Sequence, residues 1–277
     1  MWNGSRYLDS SILSIRRQSY SNIEIVVIDD CSTDESPEII LKHCLDDKRI
    51  VSYRNTENKK LPFSINRGIL ASSGEYLLWT SDDNEFDNNH IELLVHGIMN
   101  TNSEMVYSDF RMINENNKFM NISHTENPEN LIKGNCVGAS FLYKKTIHEK
   151  IGFYSENSFL FEDFEMWIRM FENGVKMHRL SSVSYSYRIH GESLSATRKL
   201  PFEYFELRRR ILEDWDVDDK KLASLAYILF AQLAMTFEQR TEAMRSLLKA
   251  AVYRPFYTPL EIGRGLVRRT IRKTMSQ

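Results

Sequence analysis

Residues 23–29 read IEIVVID, an apolar run that does not alternate and stops at two carboxylates, Asp29 and Asp30. Successive side chains of a strand point to opposite faces, so this strand presents apolar surface both above and below. It needs cover on both sides, which is the condition of a strand inside a parallel sheet flanked by helices. The stretches that follow have the pattern of such cover. SPEIILKHCL reads as a helix with Ser36 as N-cap and Pro37 at its first position. RIVSYRN (49–55) reads as a strand and PFSINRGILASSG as a helix ended by Gly74. EYLLWTS, a helix over about 88–100 and the strand EMVYSDFRMI continue the alternation. The rhythm predicts an α/β fold, a sheet with helices on its faces. In such sheets ligands bind beyond the carboxyl ends of the strands, where Asp29, Asp30, Asp82 and Asp83 all fall.

Residues 124–160 are loop-rich, and DFEMWIRMFENG then reads as a helix closed by Gly174, followed by strands over 176–189. From about residue 200 the pattern becomes wholly helical, so the expected division is a domain over 1–199 and a helical extension over 200–277. Thirty-six basic against 38 acidic residues leave a net charge of −2, which carries no nucleic-acid footprint. Three cysteines, an odd number without CxxC spacing, point to unpaired thiols and a cytoplasmic setting. No run of 18 apolar residues is present to span a bilayer.

Four constellations carry chemistry. In VVIDDCSTDES, a carboxylate at the strand end either accepts hydrogen bonds from a nucleoside or caps the next helix. In EYLLWTSDDNEF, Asp82 and Asp83 repel each other, and either a divalent cation shared with phosphate oxygens relieves that repulsion or the pair lies in a solvated acidic turn. In FLFEDFEMWIRMF, Glu162 and Asp163 open an amphipathic helix, as a general base or as caps. In YSYRIHGES, His190 follows a strand and reads as a metal ligand, a phosphate contact or a structural histidine.

In order and spacing these four stretches, together with INRGILASSGEYLLWTSDDN, resemble the family 2 glycosyltransferases of the GT-A fold, over about residues 2–195. The resemblance implies a Rossmann-like mixed sheet and transfer of a sugar, with inversion, from a nucleotide diphosphate sugar, a UDP-sugar first among them. The acceptor would be a hydroxyl on a glycan or a lipid-linked saccharide. It places Asp30, Asp29, Trp2 and Asp82 at the nucleotide, and Asp83, Asp82 and His190 at Mn²⁺ or Mg²⁺. Asp163 would be the base, with Glu162 beside it. Two departures stand out. The family's D-S-D-D is here Thr80-Ser81-Asp82-Asp83, which leaves open which aspartate meets the metal. The apolar strand that opens the family's domain is not found ahead of Trp2-Asn3, so the sheet is expected to lack it. A nucleotide-sugar-binding relative without activity is the alternative. In the last stretch, residues 254–273 interleave six basic residues with apolar ones. They suit either a terminal helix packed on the domain or a peripheral contact with the inner, anionic face of a membrane.

Overall fold

The computed structural model describes residues 1–194, 199–214 and 219–253. The basic stretch 254–277, with the membrane contact expected of it, lies outside the described residues. The chain forms two compact units, and the division is not a single cut. Met1–Pro128 and Cys136–Lys199 make the first unit, while Glu129–Asn135 joins the helices after residue 200 in the second.

In the first unit β1 (Ile25–Asp29) and β2 (Ile50–Arg54) pair in parallel, in register from Ile25↔Ile50 to Asp29↔Arg54. The helices α1 (Ser5–Arg16) and α2 (Ser36–Asp46) cover one face: Leu8, Ile12, Ile25, Ile40 and Ile50 form one buried cluster. On the other face α3 (Lys60–Ala71) approaches closely enough that a Cβ at Gly68 would lie 3.6 Å from Ile28. The non-alternating run is thus covered on both sides, as its composition demands.

The remaining strands are β3 (Tyr76–Leu77), β4 (Glu85–Phe86), β5 (Met105–Asn114), β6 (Phe119–Ser123), β7 (Ser140–Lys144) and β8 (Met177–Ile189). They form a second, mixed sheet in the order β3-β7-β5-β8-β4, with β6 added to β5. β5 and β8 run parallel, whereas β7 and β4 run antiparallel to their partners. Helix α4 (His90–Thr101) buries Ile91, Leu94, Val95 and Ile98 against Val106, Phe110, Leu142 and Tyr185 on one face. The other face carries α5 (Ile147–Ile151) and α6 (Glu162–Glu172), whose Trp167 meets Phe141 and Tyr143 edge-on. The expected strand EYLLWTS is shorter than its composition suggests, since only Tyr76 and Leu77 pair. β3 and β1 remain the edges of separate sheets. Along the unpaired edge of β1, Met1 makes the contact: its ammonium donates to Ile28 O at 2.8 Å and its carbonyl accepts from Asp30 N–H at 2.8 Å.

The second unit contains α7 (Phe202–Asp214), α8 (Lys220–Thr236) and α9 (Arg240–Tyr253). Phe205 stacks on Phe230. The buried Arg208 donates to Ile132 O at 2.9 Å, which fastens the excursion 129–135 to these helices. Among the described residues no helix is long and apolar enough to cross a membrane.

Candidate active site

Asp29 and Asp30 are both buried, and protein groups answer both charges, as burial requires. Asp29 Oδ1 accepts the Ser32 N–H at 2.9 Å, and its Oδ2 lies 3.0 Å from Arg54 Nη1 on the neighbouring strand. Asp30 Oδ1 accepts Asn55 Nδ2 at 2.7 Å and the Lys59 N–H at 2.8 Å, while Oδ2 accepts the Lys60 N–H at 2.8 Å. These bonds wrap loop 55–60 around Asp30 and hold Lys60 at φ 72°, a left-handed conformation that lysine rarely adopts. Of the two readings open for this turn, what is seen directly is the local one: the carboxylates build the turn and its loop.

Trp2 stands half exposed at 50%, and the residues after it are knitted to the same turn. Asn3, Gly4 and Ser5 donate their N–H groups to Ser32 Oγ, Ser36 Oγ and Asp34 Oδ2 at 3.0, 3.2 and 3.0 Å. Ser36, expected as the N-cap of α2, is instead its first residue. Glu35 takes the N-cap position without a side-chain cap bond, while Asp34 Oδ1 accepts the Ser36 N–H at 3.1 Å and the serine hydroxyl accepts from Gly4.

Gly4 lies directly beneath the acidic turn. A Cβ there would fall 1.4 Å from Asp82 Oδ2, so the carboxylate occupies the space that any other residue would fill. Asp83 Oδ2 meets His190 Nε2 at 3.0 Å, whereas Asp83 Oδ1 is buried with no hydrogen-bond partner. Burial raises the Asp83 pKa, Asp82 raises it further, and the contact with His190 opposes them. Arg188, which the sequence reading passed over, is the brace of this turn and is 1% exposed. Its Nε donates to Asp83 O at 2.8 Å and its Nη2 to Glu85 Oε1 at 2.5 Å, with a further bond to Asn117. Its guanidinium lies 4.6 Å from the Tyr7 ring centroid, and Tyr7 in turn packs against His190. The arginine two residues before His190 is visible in the sequence, but partners 71 to 105 residues away are not.

The residues here suit a divalent cation. A buried carboxylate oxygen lacking a donor calls for one, and carboxylate with imidazole is a donor set that Mn²⁺ accepts. Among the described residues no three of His, Cys, Asp and Glu come together as a ligand group. That is compatible with cations that take phosphate oxygens and water as their remaining ligands.

At the start of α6, Glu162 is 6% exposed and its Oε2 has no partner. Burial first and Asp163 second raise its pKa to about 7, against the backbone N–H groups of Glu162 and Leu160. Asp163 is half-buried, and its Oδ1 accepts the adjacent Phe164 N–H at 2.6 Å. The N-cap position is Phe161, which has no side-chain cap bond, and Asp163 satisfies a first-turn N–H from within the helix. Trp79, four residues before Asp83, donates its indole N–H to Tyr154 Oη at 2.9 Å. The Tyr154 hydroxyl is held well above its ordinary pKa, by burial first and by Tyr143 next, and Asp163 adds to this. Asn66 of the INRG stretch fixes Tyr154 from behind through reciprocal bonds of 2.8 and 2.9 Å to its backbone. Tyr154 thus joins Trp79, the Asn66 helix and Asp163, while Asp83, four residues further along the chain from Trp79, pairs with His190.

Residues 1–164 match the family described as Glycosyl transferase family 2. An uncharacterized glycosyltransferase of Rickettsia prowazekii, RP339, is 25% identical over 74% of this chain and 67% of its own length. The Escherichia coli UDP-Glc:alpha-D-GlcNAc-diphosphoundecaprenol beta-1,3-glucosyltransferase WfaP is 24% identical over 68% of this chain and 74% of its own. Of the Rickettsia conorii and Rickettsia bellii relatives the chain spans only 33% and 26% of the length. Among solved structures, S. aureus TarS 1–349 in complex with UDP-GlcNAc superposes with a TM-score of 0.67. It shares 15% identity over 91% of this chain and 79% of its own, which is a likeness of fold.

Proposed function

Because the chain belongs to glycosyl transferase family 2, we propose that it moves a glycosyl group from a nucleoside diphosphate sugar to an acceptor hydroxyl in polysaccharide or glycan synthesis. The observation that carries this reading is the acidic turn: Asp83 Oδ1 buried without a partner, His190 on Oδ2, and Asp82 resting over Gly4. UDP is the favoured nucleotide, supported by TarS, whose likeness in fold extends to its complexes with UDP-GlcNAc and UDP. A lipid-linked saccharide is the favoured acceptor, on the name of WfaP.

Asp83 and His190, with Asp82, would hold Mn²⁺ or Mg²⁺. When bound, the cation neutralises the charge that develops on a departing nucleoside diphosphate. The chain's own residues do the rest. Asp30 fixes the loop 55–60 and Trp2 offers an exposed ring, so the N-terminal turn makes the nucleoside end, with Asp29 shaping it. Asp163 is the half-exposed carboxylate of the α6 pair and takes the proton of the attacking hydroxyl. Glu162, with a pKa near 7, keeps a share of its proton at neutral pH and so limits the negative charge next to that base. One base and direct attack amount to a single displacement with inversion.

A second reading, nucleotide-sugar binding without transfer, draws on the division of the sheet. β1–β2, which carries the nucleoside end, has no strand pairing with the sheet that carries Asp83 and His190. Calorimetric titration with UDP and Mn²⁺ tests what the two readings share. Binding in the wild type that falls at least about tenfold in Asp83→Ala supports the site. No binding of UDP by the wild type overturns both.

A further inference from the structure

On the face of the mixed sheet that carries α6 lies a second carboxylate–histidine pair that the reaction above does not use. Asp109 of β5 is 6% exposed. Its Oδ1 accepts the Thr125 N–H at 2.9 Å and Thr125 Oγ1 at 2.8 Å. Arg179 Nη2 lies 2.9 and 3.0 Å from its two oxygens, and His124 Nδ1 lies 2.7 Å from Oδ2. Burial pushes the Asp109 carboxyl up, but the bonds from His124, Thr125 and Arg179 outweigh it and bring the pKa down to about 2. An ionised Asp109 accepts only, so Nδ1 carries a proton toward it and Nε2 is left as the outward nitrogen of the ring. The His124 side chain is 71% exposed. One nitrogen is therefore fixed by a buried carboxylate whose charge Arg179 already balances, and the other is offered to solvent in a set orientation.

A chain of contacts runs along this face of the sheet toward the pair. Tyr154, whose hydroxyl pKa Asp163 helps to raise, bonds Trp79, and Trp79 packs on Phe141 edge-on at 5.5 Å. Phe141 is the cross-strand partner of Tyr107, and Tyr107 is that of Arg179, which holds Asp109. Tyr107 also donates its hydroxyl to Glu126 O at 2.7 Å, which pins the segment after His124 to this same face. Asp109 lies two residues beyond Tyr107 in the direction of the strand's carboxyl end.

We infer that His124 recognises the acceptor, its Nε2 hydrogen-bonding a hydroxyl of the acceptor saccharide. A hydroxyl both donates and accepts, so it pairs with the outward imidazole nitrogen whether or not that nitrogen carries a proton. The cost of ordering the side chain is already met by Asp109, so the bond can contribute to binding. The inference rests on the glycosyltransferase reading and deepens its acceptor side. Protein labelled with ¹³C at histidine Cε1 tests it, with the His124 signal identified by its loss in His124→Ala. The probes are UDP with Mg²⁺, and farnesyl α-D-GlcNAc diphosphate as a short-chain lipid-linked saccharide. UDP should bind and leave the His124 signal in place. The saccharide should move that signal, and His124→Ala should weaken its binding by about tenfold while UDP affinity is unchanged. A His124 signal that no saccharide moves, or equal affinity of His124→Ala and wild type for the probe, overturns the inference. Failure of UDP to bind overturns the glycosyltransferase reading instead.

Discussion

Replacing Glu162 by Gln should stabilise the protein above neutrality and leave it unchanged in acid. Glu162 is 6% exposed, and burial and Asp163 raise its pKa from 4.5 to about 7. The folded state therefore binds this proton more tightly than the unfolded chain does. The resulting stability is complete below pH 4.5, shrinks as pH rises between 4.5 and 7, and is gone above 7. The span from 4.5 to about 7, at about 1.4 kcal/mol per tenfold in proton affinity, amounts to about 3 kcal/mol. The glutamine amide would keep the shape of the protonated acid and carry no charge to bury. At pH 8 the variant should therefore exceed the wild type by about 3 kcal/mol, or roughly 6–12 °C in Tm for a domain of this size. Near pH 4 the two should coincide. Urea unfolding over pH 4–8.5, followed by tryptophan fluorescence, measures the difference, since Trp79 and Trp167 both contact Phe141 near this helix. A difference that does not change with pH, or stays under about 0.5 kcal/mol at pH 8, would show that the carboxylate is not held in its protonated form.

Two further expectations follow from the same geometry. Asp163→Asn should lower transfer at least about 10²-fold, the usual contribution of a general base, with UDP affinity kept; more than about a tenth of wild-type turnover would pass the role to Glu162. Gly4→Ala should drive Asp82 from its place, because the new Cβ falls 1.4 Å from Oδ2. Weaker UDP–Mn²⁺ binding at a Tm within about 2 °C is expected, and unchanged binding would separate Asp82 from the nucleotide.

Much of the fold is legible in the chain because its strands are marked by composition. IEIVVID needs cover on two faces and receives it, and EMVYSDFRMI becomes the longest partner of β8. EYLLWTS has the composition of a strand but little of the pairing. With β3 at a sheet edge, Trp79 and Thr80 leave the ladder and bond Tyr154 and Tyr185 through their side chains instead. The acidic turn with His190 was readable in outline, since two adjacent carboxylates must be answered by something. What answers them was not, because Arg188 and Gly4 act through contacts far apart in sequence. The division at residue 200 has a similar gap. No composition signals that Glu129–Asn135 joins the later helices, a join fastened by the buried Arg208. His124 stands in a loop-rich stretch, and nothing in its neighbourhood in sequence signals Asp109, 15 residues earlier, behind its ring.

The central claim is that the acidic turn holds a cation and, with it, a nucleoside diphosphate sugar. The most direct measurement is release of nucleoside diphosphate from a panel of nucleotide sugars, UDP-GlcNAc and UDP-Glc first, with Mn²⁺ or Mg²⁺ and again in excess EDTA. Release that needs the metal and is lost in Asp83→Ala is the predicted result. Undiminished release in EDTA, or full activity of Asp83→Ala, would contradict it.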